Sequence, residues 1–475
     1  DVLVACARAT STPLQGPAGA IAGAVRRALG SLSVVIDARI LAGPLNGTRV
    51  HVLELLAALA ETRAVRLTAI VPRPLDDRTR ALLERVEGIE LRSLGDGSPI
   101  PRTDVAHLPH QVGSAADLTV LGRLGERVII TQQDLIGYHS PSHFPSDGDW
   151  QRYRELTRRA LAAADGVAFF SAHARAEALA DGLVAADRAH VVPIGVDHTL
   201  VATVSAQPPP GAQARLGRAE AILCLGTDFG HKNRPFALRV VAQLRALGWE
   251  GRLVFAGPHV EYGSTRVEEE ATLARDPGLA EAVIDLGEVS DAGREWLYER
   301  ASLVLCPTVR EGFGLVPHEA AAHGVPCLWA PGTALAELLP REVAAIVPWD
   351  PEATAAAALT LLRERAAGAA NVEAVRSAGD RLRWADTGRV LADVYAAVCE
   401  RPPSPAATLE REAGVMRADV SEDGIALVGP GGLLPPDLER PLLALLARER
   451  IARPLSAALK AGYRASQRRS SVRQR

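Results

Sequence analysis

Short β-branched or aliphatic runs recur through the first part of the chain, separated by stretches whose apolar positions return at helical spacing. Ser33–Ile36, Val65–Val71, Val105–Leu108, Val128–Thr131, Val167–Phe170 and His190–Pro193 read as strands, with helices such as Thr48–Glu61 and Trp150–Ala164 between them. This is one wound α/β unit. "QPPPGAQ", Gln207 to Gln213, is a Pro/Gly linker, and after it the rhythm restarts. Strands are expected at Ile222–Leu225, Leu253–Ala256, Val283–Leu286, Leu303–Cys306, Cys327–Trp329 and Ala344–Val347, with helices near Arg234–Leu247, Asp291–Ala301, Val316–His323 and Pro351–Ala366. Two wound halves of similar size joined by a linker enclose a cleft, and ligands of such sheets sit outside the carboxyl ends of the strands. Pro402, Pro403 and Pro405 mark a second break, beyond which "VGPGGLLPP" (Val428–Pro436) reads as a loop rather than a phosphate motif.

Composition narrows the class. A chain of 475 residues with 48 % hydrophobic positions has room for two to three globular domains. The net charge of −3 hides an asymmetry, because Arg448 to Arg475 carries nine basic residues and one acid, which leaves about −11 for the rest. Nucleic acid is therefore not an expected partner of the main body. Cys6, Cys224, Cys306, Cys327 and Cys399 are odd in number and lack CxxC spacing, so neither a disulfide framework nor a zinc site is indicated and a reducing compartment fits. No apolar run reaches the roughly 18 residues of a membrane span, and the first residues of the chain do not lead us to expect a signal peptide. Because the first residue is Asp1 and the only methionine is Met416, the native start is expected upstream.

Two segments carry candidate chemistry. In "TVREGFGLVPHEAAAHGVPCL", Thr308 to Leu328, Pro317 suits a first helical turn, Gly324 the position past its end, and Pro326 blocks continuation. Gly312-Phe313-Gly314 is then a strand-to-helix turn whose amides can approach an anion. Glu311 precedes the turn and Glu319 lies about one turn into the helix, both good acceptors for sugar hydroxyls. A capping acid and an ordinary helix glutamate are the plain alternatives. In "LCLGTDFGHKNRPFALRVV", Lys232 is one of only two lysines among 53 Lys plus Arg, the other being Lys460. It follows the first strand of the second half, on the same sheet edge as Glu311, where an ammonium can neutralise a diphosphate leaving group.

These residues resemble a family. "EGFGLVPHE" is similar to the E-x7-E signature of retaining family-4-type glycosyltransferases, and "LGTDFGHKN" to the Gly-Thr-x4-Lys-Asn loop of their mannosyltransferase-like branch. "GPLNGTRVHVLELLAAL", "VVPIGVD", "IDLGEVSDAGREWLYERASLVLCPT" and "GTALAELLP" follow in matching order, and "RWADTGRVLADVY" resembles the closing helix that returns to the first domain. The resemblance implies a GT-B fold, two Rossmann-like doubly wound domains facing a cleft. The expected division is an extension at 1–31, a first, acceptor-side domain at 32–204, a linker at 205–217, a donor domain at 218–378, the closing helix at 379–400 and an appendix at 401–475.

Carried over by position, the resemblance implies Lys232 on the donor diphosphate, with Gly226, Thr227 and Asn233 around it. Gly312, Phe313, Gly314 and Leu315 would cradle phosphate and sugar, Glu311 would touch the transferred sugar, and Glu319 would hold the ribose. Gly287 would lie near the base, and Gly47 would face the phosphate across the cleft. No metal and no cofactor beyond the sugar nucleotide is implied. Two departures stand out: Thr227 occupies the place of an arginine, which passes the second cation to His231 or Arg234, and Gln133-Asp134-Leu135 replaces His-Asp-Leu. Gln133, Asp134, His107 and His110 are the remaining candidates for acceptor or sugar contacts.

The expected activity is transfer of a hexose from a GDP- or UDP-sugar to a carbohydrate or lipid-linked acceptor in the cytoplasm. A catalytically inactive partner subunit, favoured by Gln133, and a sugar-nucleotide epimerase or phosphorylase are the alternatives. The basic tail at 448–475 reads as a solvated terminus, with contact to the inner face of the membrane as its competing role.

Overall fold

The computed structural model describes residues 31–42, 47–94, 100–198, 200, 204–341, 346–403, 407–408, 428–429 and 432–433. Residues 1–30 of the expected extension at 1–31, the basic tail at 448–475, Cys6 and Lys460 lie outside the described residues.

The first sheet is assembled from β1 (Leu32–Asp37), β2 (Val65–Ile70), β3 (Ile89–Arg92), β4 (Thr103–Leu108), β5 (Gly125–Gln132), β6 (Gly166–Phe169) and β7 (Ala189–Val191). Its seven strands run in the order β3-β2-β1-β4-β5-β6-β7, all parallel. The second sheet contains β8 (Ala221–Leu225), β9 (Arg252–Ala256), β10 (Val283–Asp285), β11 (Leu303–Cys306) and β12 (Cys327–Trp329), parallel in the order β10-β9-β8-β11-β12. Parallel pairing demands crossovers, and helices supply them on both faces. Buried rows such as Val34, Val35 and Ile36 on β1 or Leu303, Val304 and Leu305 on β11 are apolar on both sides for that reason. Each sheet reverses its order once, between β1 and β4 and between β8 and β11, which opens a crevice there.

The expected strands and helices are found with five differences. β3, IELR, is half charged and sits at the sheet edge, where alternation is too weak to read as a strand. Of the expected strand Ala344–Val347, Ala344 and Ala345 lie outside the described residues, whereas Ile346 and Val347 are irregular. The expected helix Pro351–Ala366 stops at Arg363, because Glu364 is extended (φ −97°, ψ 95°), and a second helix, Arg365–Gly379, follows at once. The helix read as Trp150–Ala164 begins earlier, at Asp147, with the Ser146 hydroxyl accepting from the Asp149 amide. "VGPGGLLPP" contributes a small antiparallel pair, Val428–Gly429 with Gly432–Leu433.

Helix α1 (Gly47–Thr62) covers the first sheet, and the long helix α2 (Trp384–Glu400) packs back onto it from the far end of the chain. Gly388 permits the contact: a Cβ there would stand 2.6 Å from the Ala58 carbonyl oxygen. Leu391, Val394, Tyr395 and Val398 complete the same apolar cluster as Val52, Leu55 and Leu56. The chain crossing is pinned by the Trp384 amide on Asp197 (2.8 Å) and by the Thr387 hydroxyl on the Pro193 carbonyl (2.8 Å).

Candidate active site

The loops after β8 and β11 flank the reversal of the second sheet, and backbone bonds stitch them together. The His231 carbonyl accepts from the Val309 amide (2.8 Å) and from the Thr308 hydroxyl (3.1 Å). Gly230–Lys232 is a single 3-10 turn, after which Asn233 takes a left-handed conformation (φ 54°, ψ 43°) and starts the helix Arg234–Ala246. Asn tolerates that conformation better than most residues, so Asn233 has a backbone reason to follow the lysine. Gly226, at φ +125°, lets the lysine stem pass: the Lys232 Cε lies 3.4 Å from where a Cβ would be.

The result is an ion pair between Lys232 Nζ and Glu311 Oε2 at 2.8 Å. Burial opposes the charge on Lys232, but Glu311, then Cys306 and Asp134, outweigh it and raise its pKa above the ordinary lysine value. Asp134 stands behind the pair. Burial pushes its carboxyl up to about 6, with the Ile136 amide pulling down, Glu311 adding to the rise and Lys232 opposing it. Gly312 is pressed against this segment of the first sheet: a Cβ would meet the Gln133 carbonyl oxygen at 2.4 Å and the Asp134 Cβ at 2.8 Å. The Ser171 hydroxyl also bonds the Gly312 carbonyl (2.8 Å). Gln133 itself accepts from the Thr48 hydroxyl (3.3 Å), beside Gly47.

Glu319 lies in the first turn of the helix Val316–Ala322, and Gly324 ends that segment at φ +75°. It lines a cavity of about 300 Å³ together with Leu315 and, from the opposite sheet, Gly47. Gly314 is held at φ +96°. Gly287, at φ +61°, accepts from the Gly257 amide and lines a separate pocket of about 410 Å³ beside His259. Thr227 is half-buried, next to Asp228, whose carboxylate accepts from His259, Val260 and Ser264 and so fixes the loop. His110 is half-buried at the end of the β4 loop, with Nδ1 2.9 Å from the Gln111 carbonyl.

Several expectations are corrected. His107 is not at the cleft surface: it is fully buried between the Tyr395 hydroxyl (2.7 Å) and the Thr131 hydroxyl (2.9 Å), and burial drives its pKa down to about 3. Phe313 as a whole residue is 3 % exposed, and its ring belongs to the apolar core. His231 is no second cation, since burial and Lys232 lower its pKa to about 3. Arg234 is not one either: it is 1 % exposed, near Asp285 (3.4 Å) and Glu269 (3.8 Å), and bonded to the Gly226 carbonyl.

Two residues beside Glu319 carried no sequence signal. The Tyr298 hydroxyl donates to Glu319 Oε2 at 2.6 Å, and Arg294 is raised in pKa because Glu319, with Tyr298 and Asp291, outweighs its burial. Among the described residues no three His, Cys, Asp or Glu side chains gather in a metal-ligand group, and no helix is long and apolar enough to cross a membrane.

This two-sheet arrangement recurs in known structures. Sucrose-phosphate synthase from Thermosynechococcus elongatus superposes with a TM-score of 0.55 at 17 % identity, over 77 % of this chain and 98 % of that one. An Anabaena protein, HepE, in complex with UDP and glucose gives 0.53 at 16 %, over 77 % and 99 %. The fold is GT-B. Within this GT-B chain, residues 219–364 match the family model of glycosyl transferases group 1. A D-inositol 3-phosphate glycosyltransferase of Xylanimonas cellulosilytica is 28 % identical over 313 residues, covering 63 % of this chain and 73 % of its own length.

Proposed function

We propose that the protein is a glycosyltransferase that moves a hexose from a UDP- or GDP-sugar to a carbohydrate or lipid-linked acceptor, retaining the anomeric configuration without a metal ion. The observation that carries this reading is the Lys232–Glu311 pair at the reversal of the second sheet. When the glycosidic bond breaks, negative charge grows on the leaving diphosphate, and a preorganised ammonium stabilises it more than it stabilises the bound substrate. Lys232 exchanges Glu311 for the diphosphate, which frees the carboxylate for sugar hydroxyls. Glu319, in the cavity shared with Gly47, takes the ribose. The match of residues 219–364 to group 1 glycosyl transferases and the likeness to a D-inositol 3-phosphate glycosyltransferase support the transferase class. The sugar nucleotide in this reading agrees with the UDP and glucose of the HepE complex.

The test is incubation with a panel of UDP- and GDP-sugars and glycan or lipid-linked acceptors, with and without chelator. Acceptor-dependent release of nucleoside diphosphate that survives chelation, with an NMR-defined retained anomer, is the expected result. An inverted anomer rejects retention, and loss of activity with chelator rejects the metal-free reading. One observation favours a second reading, an inactive partner subunit that binds the sugar nucleotide: Gln133, an amide that cannot move a proton at neutral pH, sits where Gly312 meets the first sheet. Nucleotide binding without turnover for any donor would select it.

A further inference from the structure

Tyr298 lies on the helix Asp291–Arg300, is 1 % exposed, and spends its hydroxyl on Glu319 Oε2 at 2.6 Å. Its ring is held as firmly as its oxygen. It stacks on His323 with ring centroids 4.8 Å apart and an 18° tilt. His323 is fixed in turn, Nδ1 at 3.0 Å from the Glu319 carbonyl and Nε2 at 2.9 Å from Glu295 Oε2. A chain of contacts thus runs from the backbone of the helix Val316–Ala322 through two rings and back to a side chain of the same helix.

We propose that Tyr298 is a positioning residue that presents Glu319 to the ribose diol of the donor and makes the cavity selective for ribonucleotides over 2′-deoxyribonucleotides. The proposal rests on the reading of Glu319 as the ribose ligand. A free glutamate carboxylate turns about a broad, nearly two-fold torsion, so its two oxygens have no preferred plane. A short, charge-assisted bond to Oε2 sets that plane. It uses one acceptor position and leaves the other on Oε2, together with all of Oε1, for two neighbouring hydroxyls. Burial, followed by the adjacent carboxylate, pushes the Tyr298 hydroxyl well above its ordinary pKa, so it stays a donor. Arg294 supplies positive charge beside the same carboxylate. A ligand lacking the 2′-hydroxyl then leaves an acceptor in a fixed direction unmatched, and a fixed site suffers more from that loss than one that can rotate away.

Tyr298→Phe keeps the ring stack and removes one oxygen. Calorimetry with UDP, GDP and their 2′-deoxy forms, alongside thermal melting, separates the roles. Wild type is expected to prefer the ribo form of its own nucleotide by about tenfold or more, the scale of one hydrogen bond to a charged group. In Tyr298→Phe the ribo form should weaken about tenfold while the deoxy form changes little, so the preference collapses; turnover at saturating donor should stay within about twofold. A variant that binds both forms equally more weakly, with the preference intact, would show that Tyr298 is only structural and overturn the proposal. Glu319→Ala distinguishes the two levels. If it keeps the wild-type preference, Glu319 is not the ribose ligand and the site reading fails first; if it loses the preference while Tyr298→Phe keeps it, only the positioning role fails.

Discussion

At Lys232 a single ammonium is held by the Glu311 carboxylate, and the half-buried Asp134 adds to the negative charge around it. Lys232→Ala should lower kcat by about 10²–10³, the scale for removing one preorganised donor to developing charge. Lys232→Arg should not restore the rate fully, because a planar fork cannot replace a compact charge against Gly226. Steady-state rates decide both. Asp134 gives a pH prediction. Its folded pKa, raised to about 6, exceeds the ordinary carboxylate value, so its contribution to stability is fully present at pH below about 4 and is lost as pH rises through 6. Asp134→Asn should therefore melt near wild type at pH 4 and above it at pH 7.5, and identical pH profiles would refute the shift. The lysine and Glu311 could be read from sequence because each follows a strand that the apolar runs mark plainly. Tyr298 and Arg294 could not, since nothing local to "REWLY" says which helix face meets Glu319. His107 misled for the same reason: its partner, Tyr395, lies in a helix that reaches it only through the tertiary fold.

The loop Thr308–Leu315 shows what one element adds to its residues. Its glycines were legible as a turn, yet the sequence suggests an open phosphate cradle, whereas the fold packs Gly312 against Gln133 and Asp134 and buries Phe313. Gly312→Ala places a methyl group where the Gln133 carbonyl already is. Backbone cannot swing aside as a flexible side chain does, so the loop or the opposing segment must move. The expected outcome is a loss of about 1–3 kcal/mol in stability and a larger fall in turnover than in donor affinity. Denaturant titration with steady-state kinetics checks it; an unperturbed variant would mean that the contact is easily relieved. The split of Pro351–Ala366 into two helices was hidden for another reason: the alanine-rich stretch has high helix propensity on both sides of Glu364, and only packing decides where it bends.

Across the whole molecule, the two sheets are fastened by a few polar clasps. The Glu337 carboxylate accepts from the amides of Ala172 and His173 (2.9 and 3.0 Å), at the start of the helix Ala172–Ala180, and Arg78 pairs with Asp291 (3.4 Å). Two amides at a helix N-terminus favour a carboxylate through hydrogen bonds and the helix dipole together. Glu337→Gln keeps one acceptor and loses the charge, and Glu337→Ala removes both. Solution scattering should show a larger radius for Glu337→Ala in the absence of nucleotide, with Glu337→Gln between it and wild type, and donor KM should rise in that order by about 3- to 10-fold. Equal radii for all three would exclude Glu337 as a clasp. "GTALAELLP" was noticed in the sequence, but what Glu337 grips is the start of a helix in the other wound half and leaves no mark nearby.

The return of α2 to the first sheet bears on the order in which the protein is made. Leu391, Val394, Tyr395 and Val398 fill the apolar surface over Val52, Leu55 and Leu56, so the core of the domain translated first is finished by residues translated after the second domain. A ribosome therefore holds a first domain with an open apolar groove while the second is synthesised, and such grooves are what chaperones bind and aggregates grow from. A nascent chain arrested before Trp384 should be far more protease-sensitive within residues 47–62 than one arrested after the tunnel has cleared Glu400.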